Sequence, residues 1–326
     1  MKIPGFIDLQ VNGYINVDYS DTTLTEKDFI RSARALHENG TAGFLPTVVT
    51  SYEEIYRRNL PMLAKAMKDP DLEGCVLGLH LEGPFISSQP GAVGAHNPAA
   101  VTKPDCDYLK RLHDWSDGQI KILTIAAEAE GAEKLIECAN SLGIVVSLGH
   151  HLATPADIEK CAAAGAKLLT HLGNGCPNMI HRHNNPIWAG LADDQLTAMI
   201  ITDGHHLPAS LIKTIIRAKG LDKVIVTSDA SPIAGMPPGR YSTLGNNAIL
   251  EPNGLLHNPE KQCLVGSSAT ILVCANYLAS LDFLAPDDIV KLAFSNPLKM
   301  IGVPESSINC KTQYEWNPEA KQFVRA

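Results

Sequence analysis

Eight short apolar segments alternate with segments of helical periodicity up to residue 227. The apolar segments comprise residues 5–9, 43–49, 76–81, 120–125, 144–148, 167–169, 197–201 and 224–227. Several of them are almost continuously hydrophobic, which is typical of parallel strands that are covered on both faces. This alternation predicts an α/β fold, a (β/α)8 barrel of the TIM type.

The segments between the apolar runs support helices. Apolar residues recur at helical spacing over residues 25–38, 52–67, 132–142, 155–163 and 209–218. Thr25 and Thr154 are good N-cap residues, and Pro155 suits a first helical position. The main competing fold is an open doubly wound sheet. No GxGxxG sequence follows the first strand, and polar residues follow nearly every strand rather than one switch point, so the barrel is favoured.

The chain after the eighth strand is predicted to complete the same domain. A loop rich in proline and glycine at 232–239 precedes turn-rich residues 241–256, which suit a hairpin, and two helical segments at 268–279 and 286–300. Residues 312–324 suit two short strands. No linker or repeat marks a second independent unit, so we expect a barrel at 1–303 and a C-terminal tail at 304–326.

Composition and charge exclude several classes of function. The formal net charge is -8 without a long run of either sign, which argues against nucleic acid as the main partner. No apolar run approaches the length of a membrane span, and the N-terminal residues lack the apolar core of a signal peptide. Eight cysteines without a CxxC pair indicate reduced thiols. We therefore expect a cytoplasmic protein with no membrane partner.

Four chemically active side chains follow four of the predicted strands: Glu82, His150, His171 and Asp229. In a barrel the carboxyl ends of all strands meet at one mouth. Two histidines and one carboxylate form a three-ligand site with an open position, which is the catalytic pattern for zinc, although iron, manganese and cobalt also suit such ligands. The alternative for each histidine alone is a hydrogen-bonded core residue.

Asp229 suits the role of a general base. A metal lowers the pKa of a bound water, and a carboxylate at the end of the eighth strand is placed to take its proton and return it to a leaving amine. The alternative is that Asp229 is the N-cap of a helix.

The sequence motifs resemble those of one enzyme family. They occur in the order and approximate spacing of the N-acetylglucosamine-6-phosphate deacetylases of the amidohydrolase superfamily, from about Pro4 to Gly302. The motifs are PGFIDLQVNG at 4–13, HLEGP at 80–84, HNP at 96–98, GH at 149–150, THLGN at 170–174, DGHH at 203–206 and TSDA at 227–230.

The resemblance implies deacetylation of an N-acetylated amino sugar, with N-acetylglucosamine 6-phosphate as the expected substrate and acetate as a product. It implies one divalent ion per chain, most simply zinc, held by Glu82, His150 and His171. Many amidohydrolases carry His-x-His after strand one to hold a second ion. Gln10 and Asn12 stand there, similar to the family's single-metal members, and two tightly held ions would require water-mediated ligation by them.

The resemblance also implies substrate contacts. His206 corresponds to the family's strand-seven histidine and would bind substrate and help to polarise the acetyl carbonyl. Backbone N–H groups at Asn174 and Gly175, with the planar fork of Arg182, suit the phosphate, and His96 is a further candidate contact. The alternative for Arg182 is an ordinary solvated side chain. His151, next to a proposed ligand, is expected to face solvent.

Other functions stay open at this point. The family normally has a β-sandwich domain, so the tail at 304–326 is interpreted as its remnant, and exposed barrel walls favour a homodimer. The sequence departs from the family pattern around THLGNGCP at 170–177. The alternatives are deacetylation of another N-acetylhexosamine, with or without phosphate, hydrolysis of a small N-acyl amide such as an N-acyl amino acid, and a catalytically silent binding protein.

Overall fold

The computed structural model describes residues 2–308, 310 and 312–326. The predicted barrel begins at Met1, and the predicted tail includes Asn309 and Lys311. These three residues lie outside the described part of the chain. Eight parallel strands form one sheet and confirm the predicted barrel. They are β1 Phe6–Val11, β2 Thr41–Val49, β3 Leu79–Glu82, β4 Ile120–Ile125, β5 Val145–Leu148, β6 Leu168–Leu169, β7 Thr197–Ile201 and β8 Val224–Thr227.

Helices cover the outer face of the sheet. They are α1 Glu26–Glu38, α2 Glu53–Ala66, α3 Cys106–Trp115, α4 Ala132–Ser141, α5 Pro155–Ala163, α6 Pro186–Ala192, α7 Ala209–Lys219, α8 Ile271–Ser280, α9 Pro286–Val290 and α10 Asn296–Met300, with a π-helical turn at Lys291–Ser295 between the last two. Thr25 and Thr154 cap α1 and α5 as predicted. Helices α3 and α6, which begin after the side-chain caps Asp105 and Asn185, were not predicted from the sequence.

The barrel closes at a seam between β1 and β8. Neighbouring strands elsewhere are paired in parallel ladders. Across the seam, one backbone bridge joins Val11 to Ala230, and the Asn12 N–H donates to the Ala230 carbonyl at 2.8 Å. Asp8 adds side-chain bonds, because its Oδ1 accepts from Thr227 Oγ1 at 2.7 Å and from the backbone N–H of Ser228 at 3.0 Å. Side-chain hydrogen bonds therefore provide much of the connection between β1 and β8.

The barrel interior is hydrophobic towards its amino-terminal end. Side chains from the strands pack there with residues of α10 and the π-helical turn, among them Ile7, Ile122, Met199, Ile225 and Phe294. A second, larger core lies between the sheet and the helices. Burial of this apolar surface is the main stabilising contribution to the fold.

A small antiparallel sheet covers part of the barrel mouth. It consists of β9 Gly239–Thr243, β10 Asn246–Leu250, β11 Leu256–Asn258 and β12 Cys263–Leu264, with the hairpin predicted around 241–256 as its centre. Ile233, Leu250 and Val265 belong to a separate apolar cluster beneath it. This sheet supplies one wall of the mouth.

The tail returns to the start of the barrel. Strands β13 Tyr314–Asn317 and β14 Gln322–Arg325 form a three-stranded sheet with Lys2–Ile3, as the two predicted strands suggested. Phe323 packs edge-on against Phe6, with ring centroids 5.1 Å apart. The tail is therefore attached to the core of the barrel. Within the described residues, no helix combines the length and apolarity needed to cross a membrane.

Candidate metal centre and active site

Three of the predicted site residues share an unusual backbone conformation. His150, His171 and Asp229 each lie two residues beyond the end of a strand, and their φ angles are 50°, 31° and 54°. Left-handed backbone at a non-glycine residue costs of order 1–3 kcal/mol and persists where the surroundings impose it, often at functional sites. The same turn after β5, β6 and β8 directs all three side chains into the mouth.

Glu82, the last residue of β3, completes a cluster with the two histidines. Nε2 of His171 lies 3.1 Å from Glu82 Oε1 and 3.0 Å from Nε2 of His150, and His150 Nε2 lies 3.3 Å from Glu82 Oε1. One ligand atom from each residue falls within 4.8 Å of the other two, and all three residues are buried. The structure therefore brings together the three side chains that the sequence analysis selected.

The protonation states of these groups suit a metal ion. His150 Nδ1 donates to the Ala92 carbonyl at 2.8 Å, which leaves the Nε2 lone pair free to bind a metal. His171 Nδ1 is buried and has no hydrogen-bond partner among the described residues. Burial alone would raise the pKa of Glu82, but the neighbouring imidazoles of His150 and His171 hold it well below its usual range. Glu82 is thus an ionised ligand.

Gln10 and Asn12 link the cluster to Asp229. Gln10 Nε2 donates to Glu82 Oε1 at 2.7 Å and to Asp229 Oδ1 at 2.9 Å, and Asn12 Nδ2 donates to the same Oδ1 at 2.8 Å. The amide oxygens of both residues are buried without a partner in the described structure. Burial and the charge of Glu82 raise the pKa of Asp229 to about 6. The two side-chain amides therefore orient the Asp229 carboxylate, and because they are uncharged they do not neutralise its charge.

His96 lies against the same cluster. Its Nε2 is 3.2 Å from His150 Nε2 and 3.5 Å from Glu82 Oε2, and the residue is buried. Burial and the neighbouring His150 lower the pKa of His96 to about 3. From the sequence, His96 was grouped with the candidate phosphate contacts, whereas in the structure it lies beside His150 and Glu82. His96 does not directly follow a strand. The convergence of strand ends at the barrel mouth therefore does not predict that this histidine faces the metal cluster.

His206 is oriented by Asp203 after β7. Its Nδ1 donates to Asp203 Oδ2 at 2.8 Å, and Ser267 Oγ donates to the same oxygen at 2.6 Å. Burial alone would raise the pKa of Asp203, but the hydrogen bond and charge of His206 hold it well below its usual range. Because Nδ1 of His206 is held by Asp203, its Nε2 is the ring nitrogen that can contact a substrate in the mouth of the barrel.

One cavity of about 1040 Å³ contains these groups. The proposed site residues that line it are Asn12, Glu82, His96, His150, His171, Asn174, Gly175, His206 and Asp229. Gln10 is fully buried behind this surface. Arg182 is exposed on the loop between β6 and α6, and it is absent from the described lining of the cavity.

The expectation that His151 faces solvent is wrong. His151 is buried, and its backbone N–H donates to the Gly175 carbonyl at 3.1 Å, so the loop after β6 covers it. Burial lowers the pKa of His151 to about 3. A contact between two loops decides this burial, and local sequence does not reveal such a contact.

Comparison with known proteins identifies the relatives of the chain. No protein-family model matches it. A Bos taurus protein named N-acetylglucosamine-6-phosphate deacetylase is 32% identical over 311 residues, which are 92% of this chain and 74% of that protein. An Escherichia coli O157:H7 protein named N-acetylgalactosamine-6-phosphate deacetylase is 29% identical over 301 residues, which are 92% of this chain and 78% of that protein.

A solved structure agrees with these relatives. It is a mutant N-acetyl-D-glucosamine-6-phosphate deacetylase from Mycobacterium smegmatis in complex with N-acetyl-D-glucosamine-6-phosphate. It superposes with a TM-score of 0.89 at 25% identity, and the match covers 99% of this chain and 84% of that chain. The extent of these matches agrees with the motifs at the barrel mouth. The chain belongs to the N-acetylglucosamine-6-phosphate deacetylase family.

Proposed function

We propose that this protein is a metal-dependent amide hydrolase that converts N-acetylglucosamine 6-phosphate to glucosamine 6-phosphate and acetate. One observation carries the proposal: a buried Glu82, His150 and His171 cluster shares a cavity with Asp229 in a member of this family. The names of the relatives support the substrate, and the donor set supports the chemistry. A catalytically silent barrel has no need for a buried base beside metal ligands.

Glu82, His150 and His171 are the proposed ligands of one divalent ion. Two imidazoles and one carboxylate suit zinc, and Fe2+, Mn2+ or Co2+ fit the same donors. When bound, such an ion polarises the acetyl carbonyl and acidifies the attacking water. Gln10 and Asn12 offer amide groups where a second ion would need histidines, which supports a single ion.

Asp229 is the proposed general base and general acid. Its Oδ1 already accepts two amide N–H groups, from Gln10 and Asn12, so Oδ2 is the atom left to take a proton from the attacking water. The same Oδ2 then gives the proton to the departing amine. The raised pKa of Asp229, about 6, suits an exchange of protons near neutrality.

His206 and His96 are proposed to contact the acetamide sugar. Because Asp203 holds Nδ1, His206 presents Nε2 to a carbonyl or phosphate oxygen of the substrate. His96 presents Nε2 to the metal cluster, so its contact with substrate falls at the reacting acetyl group. His96 is therefore proposed to contact a different part of the substrate from the exposed Arg182.

Asn174, Gly175 and Arg182 are the proposed phosphate contacts. Asn174 and Gly175 line the cavity, whereas Arg182 lies on the exposed loop. Contact with the phosphate therefore requires the loop to bring Arg182 towards the cavity. Trp188, six residues after Arg182, is 53% exposed, and this apolar surface supports a homodimer.

The remaining proposals concern the tail, the location and the exact sugar. The small sheet that the tail at 304–326 forms with Lys2–Ile3 supports the interpretation of this tail as a part of the family's β-sandwich domain. All eight cysteines are free in the described structure, which supports a cytoplasmic setting. The Escherichia coli relative's name supports N-acetylgalactosamine 6-phosphate as the second candidate substrate.

The test combines metal analysis with acetate release. Purified protein is quantified for bound metals and assayed with both N-acetylhexosamine 6-phosphates, with unphosphorylated N-acetylglucosamine and with an N-acetyl amino acid. We expect one divalent ion per chain and the highest kcat/KM on N-acetylglucosamine 6-phosphate. Preference for the unphosphorylated sugar would overturn the phosphosugar assignment, and no acetate from any substrate in zinc-loaded protein would support the silent binding protein.

A further inference from the structure

A chain of buried hydrogen bonds crosses the barrel interior directly beneath the metal cluster. His80 Nδ1 bonds the Leu9 carbonyl at 2.9 Å, and His80 Nε2 bonds Thr124 Oγ1 at 2.8 Å. Thr124 Oγ1 bonds Thr170 Oγ1 at 2.8 Å, and Thr170 Oγ1 bonds Ser147 Oγ at 2.5 Å. We call His80, Thr124, Thr170 and Ser147 the polar girdle. Its members belong to β3, β4, β5 and the residue that follows β6.

The chemistry of the groups gives the girdle one direction. A carbonyl oxygen can only accept, so His80 Nδ1 carries the proton and donates to Leu9. In this neutral tautomer Nε2 accepts, so Thr124 donates to His80. Having used its proton, Thr124 accepts from Thr170, and Thr170 in turn accepts from Ser147. Each link therefore depends on the next.

The girdle lies where the interior of a barrel is normally filled by branched aliphatic side chains. His80, Thr124 and Ser147 are 0% exposed and Thr170 is 2% exposed. Buried polar groups are costly unless each is bonded, whereas apolar side chains of similar volume fill such a layer without that requirement. Stability alone therefore gives no reason for polar residues here.

Three of the four members of the girdle lie within three residues of a proposed metal ligand, and the fourth, Thr124, joins them from the intervening β4. His80 precedes Glu82 by two residues on β3, Thr170 immediately precedes His171, and Ser147 precedes His150 by three. The intervening Gly149 has no room for a side chain, because a Cβ atom there would lie 2.6 Å from Thr170 Cβ. The girdle thus ties together the strand ends that carry all three ligands.

We propose that the polar girdle is a positioning device that fixes the spacing of Glu82, His150 and His171, so that its hydrogen bonds set the affinity of the site for its metal. This inference rests on the proposed metal binding and adds residues that do not touch the ion. The girdle joins the strands that carry the metal ligands to one another. Loss of one of its hydroxyl groups therefore displaces at least two ligands relative to each other.

The direction of the bonds predicts a rank order of effects. Thr124→Val leaves His80 without its donor and Thr170 without its acceptor, so it breaks two bonds. Ser147→Ala removes only the last donor and breaks one. We expect zinc dissociation constants, measured by competition with a chelator, to rise about 10- to 100-fold for Thr124→Val, as for other residues that support metal ligands, and by less for Ser147→Ala. Thr124→Ser, which keeps the hydroxyl, should bind zinc like the wild type.

Thr41→Val is the matched control. Thr41 is a fully buried strand threonine whose Oγ1 has no hydrogen-bond partner among the residues described. It should leave zinc affinity unchanged, and the melting temperature of the metal-free protein shows whether the two threonine-to-valine variants are folded. Unchanged zinc affinity in folded Thr124→Val and Ser147→Ala, or equal weakening in Thr41→Val, would overturn the girdle. Failure of the wild type to bind zinc would instead overturn the proposed function.

Discussion

The metal cluster and the loop from Cys176 to Asn185 lie beyond the same set of strand ends, but they are built differently. The cluster is buried, and bonds from several strands cross-link it. The loop is mostly exposed, and its hydrogen bonds are local: His181 Nδ1 accepts from the backbone N–H groups of His183 and Asn184. The barrel therefore fixes the chemistry, whereas the loop is free to vary with the substrate.

Among the substitutions that test this difference between the cluster and the loop, we expect His171→Ala to cause the largest loss of metal binding and activity. Removing one of three ligands from a buried site should abolish most metal binding and lower kcat/KM by about 10³-fold or more. Metal content by mass spectrometry and acetate release are the measurements. His181→Ala, the same change in the exposed loop, is the control and should keep one ion per chain. Equal metal content in both variants would contradict the assignment of the cluster.

Asp229→Asn separates metal binding from proton transfer within the cluster. The amide is isosteric but cannot accept a proton at the position of Oδ2, so we expect bound metal to stay and kcat to fall about 10²- to 10⁴-fold. Thermal unfolding checks that the fold is retained. Turnover close to that of the wild type would remove Asp229 from the mechanism.

Arg182→Ala tests the loop as the determinant of substrate choice. Loss of charge-assisted bonds to the phosphate should reduce kcat/KM for N-acetylglucosamine 6-phosphate by roughly 10- to 100-fold. Activity on unphosphorylated N-acetylglucosamine and metal content should stay unchanged. Arg182→Lys keeps the charge but not the planar fork and should recover part of the loss. Equal losses on both sugars would mean that Arg182 supports the loop instead.

The smallest effect is expected for stability at the tip of the loop. Met179 is 91% exposed, so Met179→Ser should change the free energy of unfolding by no more than about 0.5 kcal/mol. Ile122→Ala, in the buried interior of the barrel, should cost about 2–5 kcal/mol. Urea denaturation of the two variants makes the comparison. A loss above about 1 kcal/mol for Met179→Ser would show that the loop is packed against the protein in solution.

The same contrast explains what the sequence predicts well. Strand ends converge at one mouth by a rule of topology, so Glu82, His150 and His171 were predictable from short apolar runs followed by ligand residues. Side chains that reach the site by long-range folding were harder to place. His96 comes from a loop after β3, and the burial of His151 depends on Gly175 in another loop.

Some features have no local signal at all. The left-handed backbone at His150, His171 and Asp229 follows from the surrounding contacts, because even His and Asp, which adopt it more often than most residues, do so only in a small fraction of cases. The bonds of Gln10 and Asn12 to Asp229 span more than two hundred residues. Alternation of strands and helices thus predicts the barrel and the ligand set, but not the hydrogen bonds that orient the catalytic carboxylate.

The seam between β1 and β8 has a consequence for local opening of the barrel. Backbone ladders hold the other strand pairs, whereas Asp8 and the single Val11 to Ala230 bridge carry much of the seam. Amide protons of Asn12 and Ser228 should therefore exchange with solvent deuterium earlier than those of the central strands, because parting this junction disrupts fewer backbone bonds. Since Gln10, Asn12 and Asp229 also meet across it, each such opening would separate the base from the two amides that orient it.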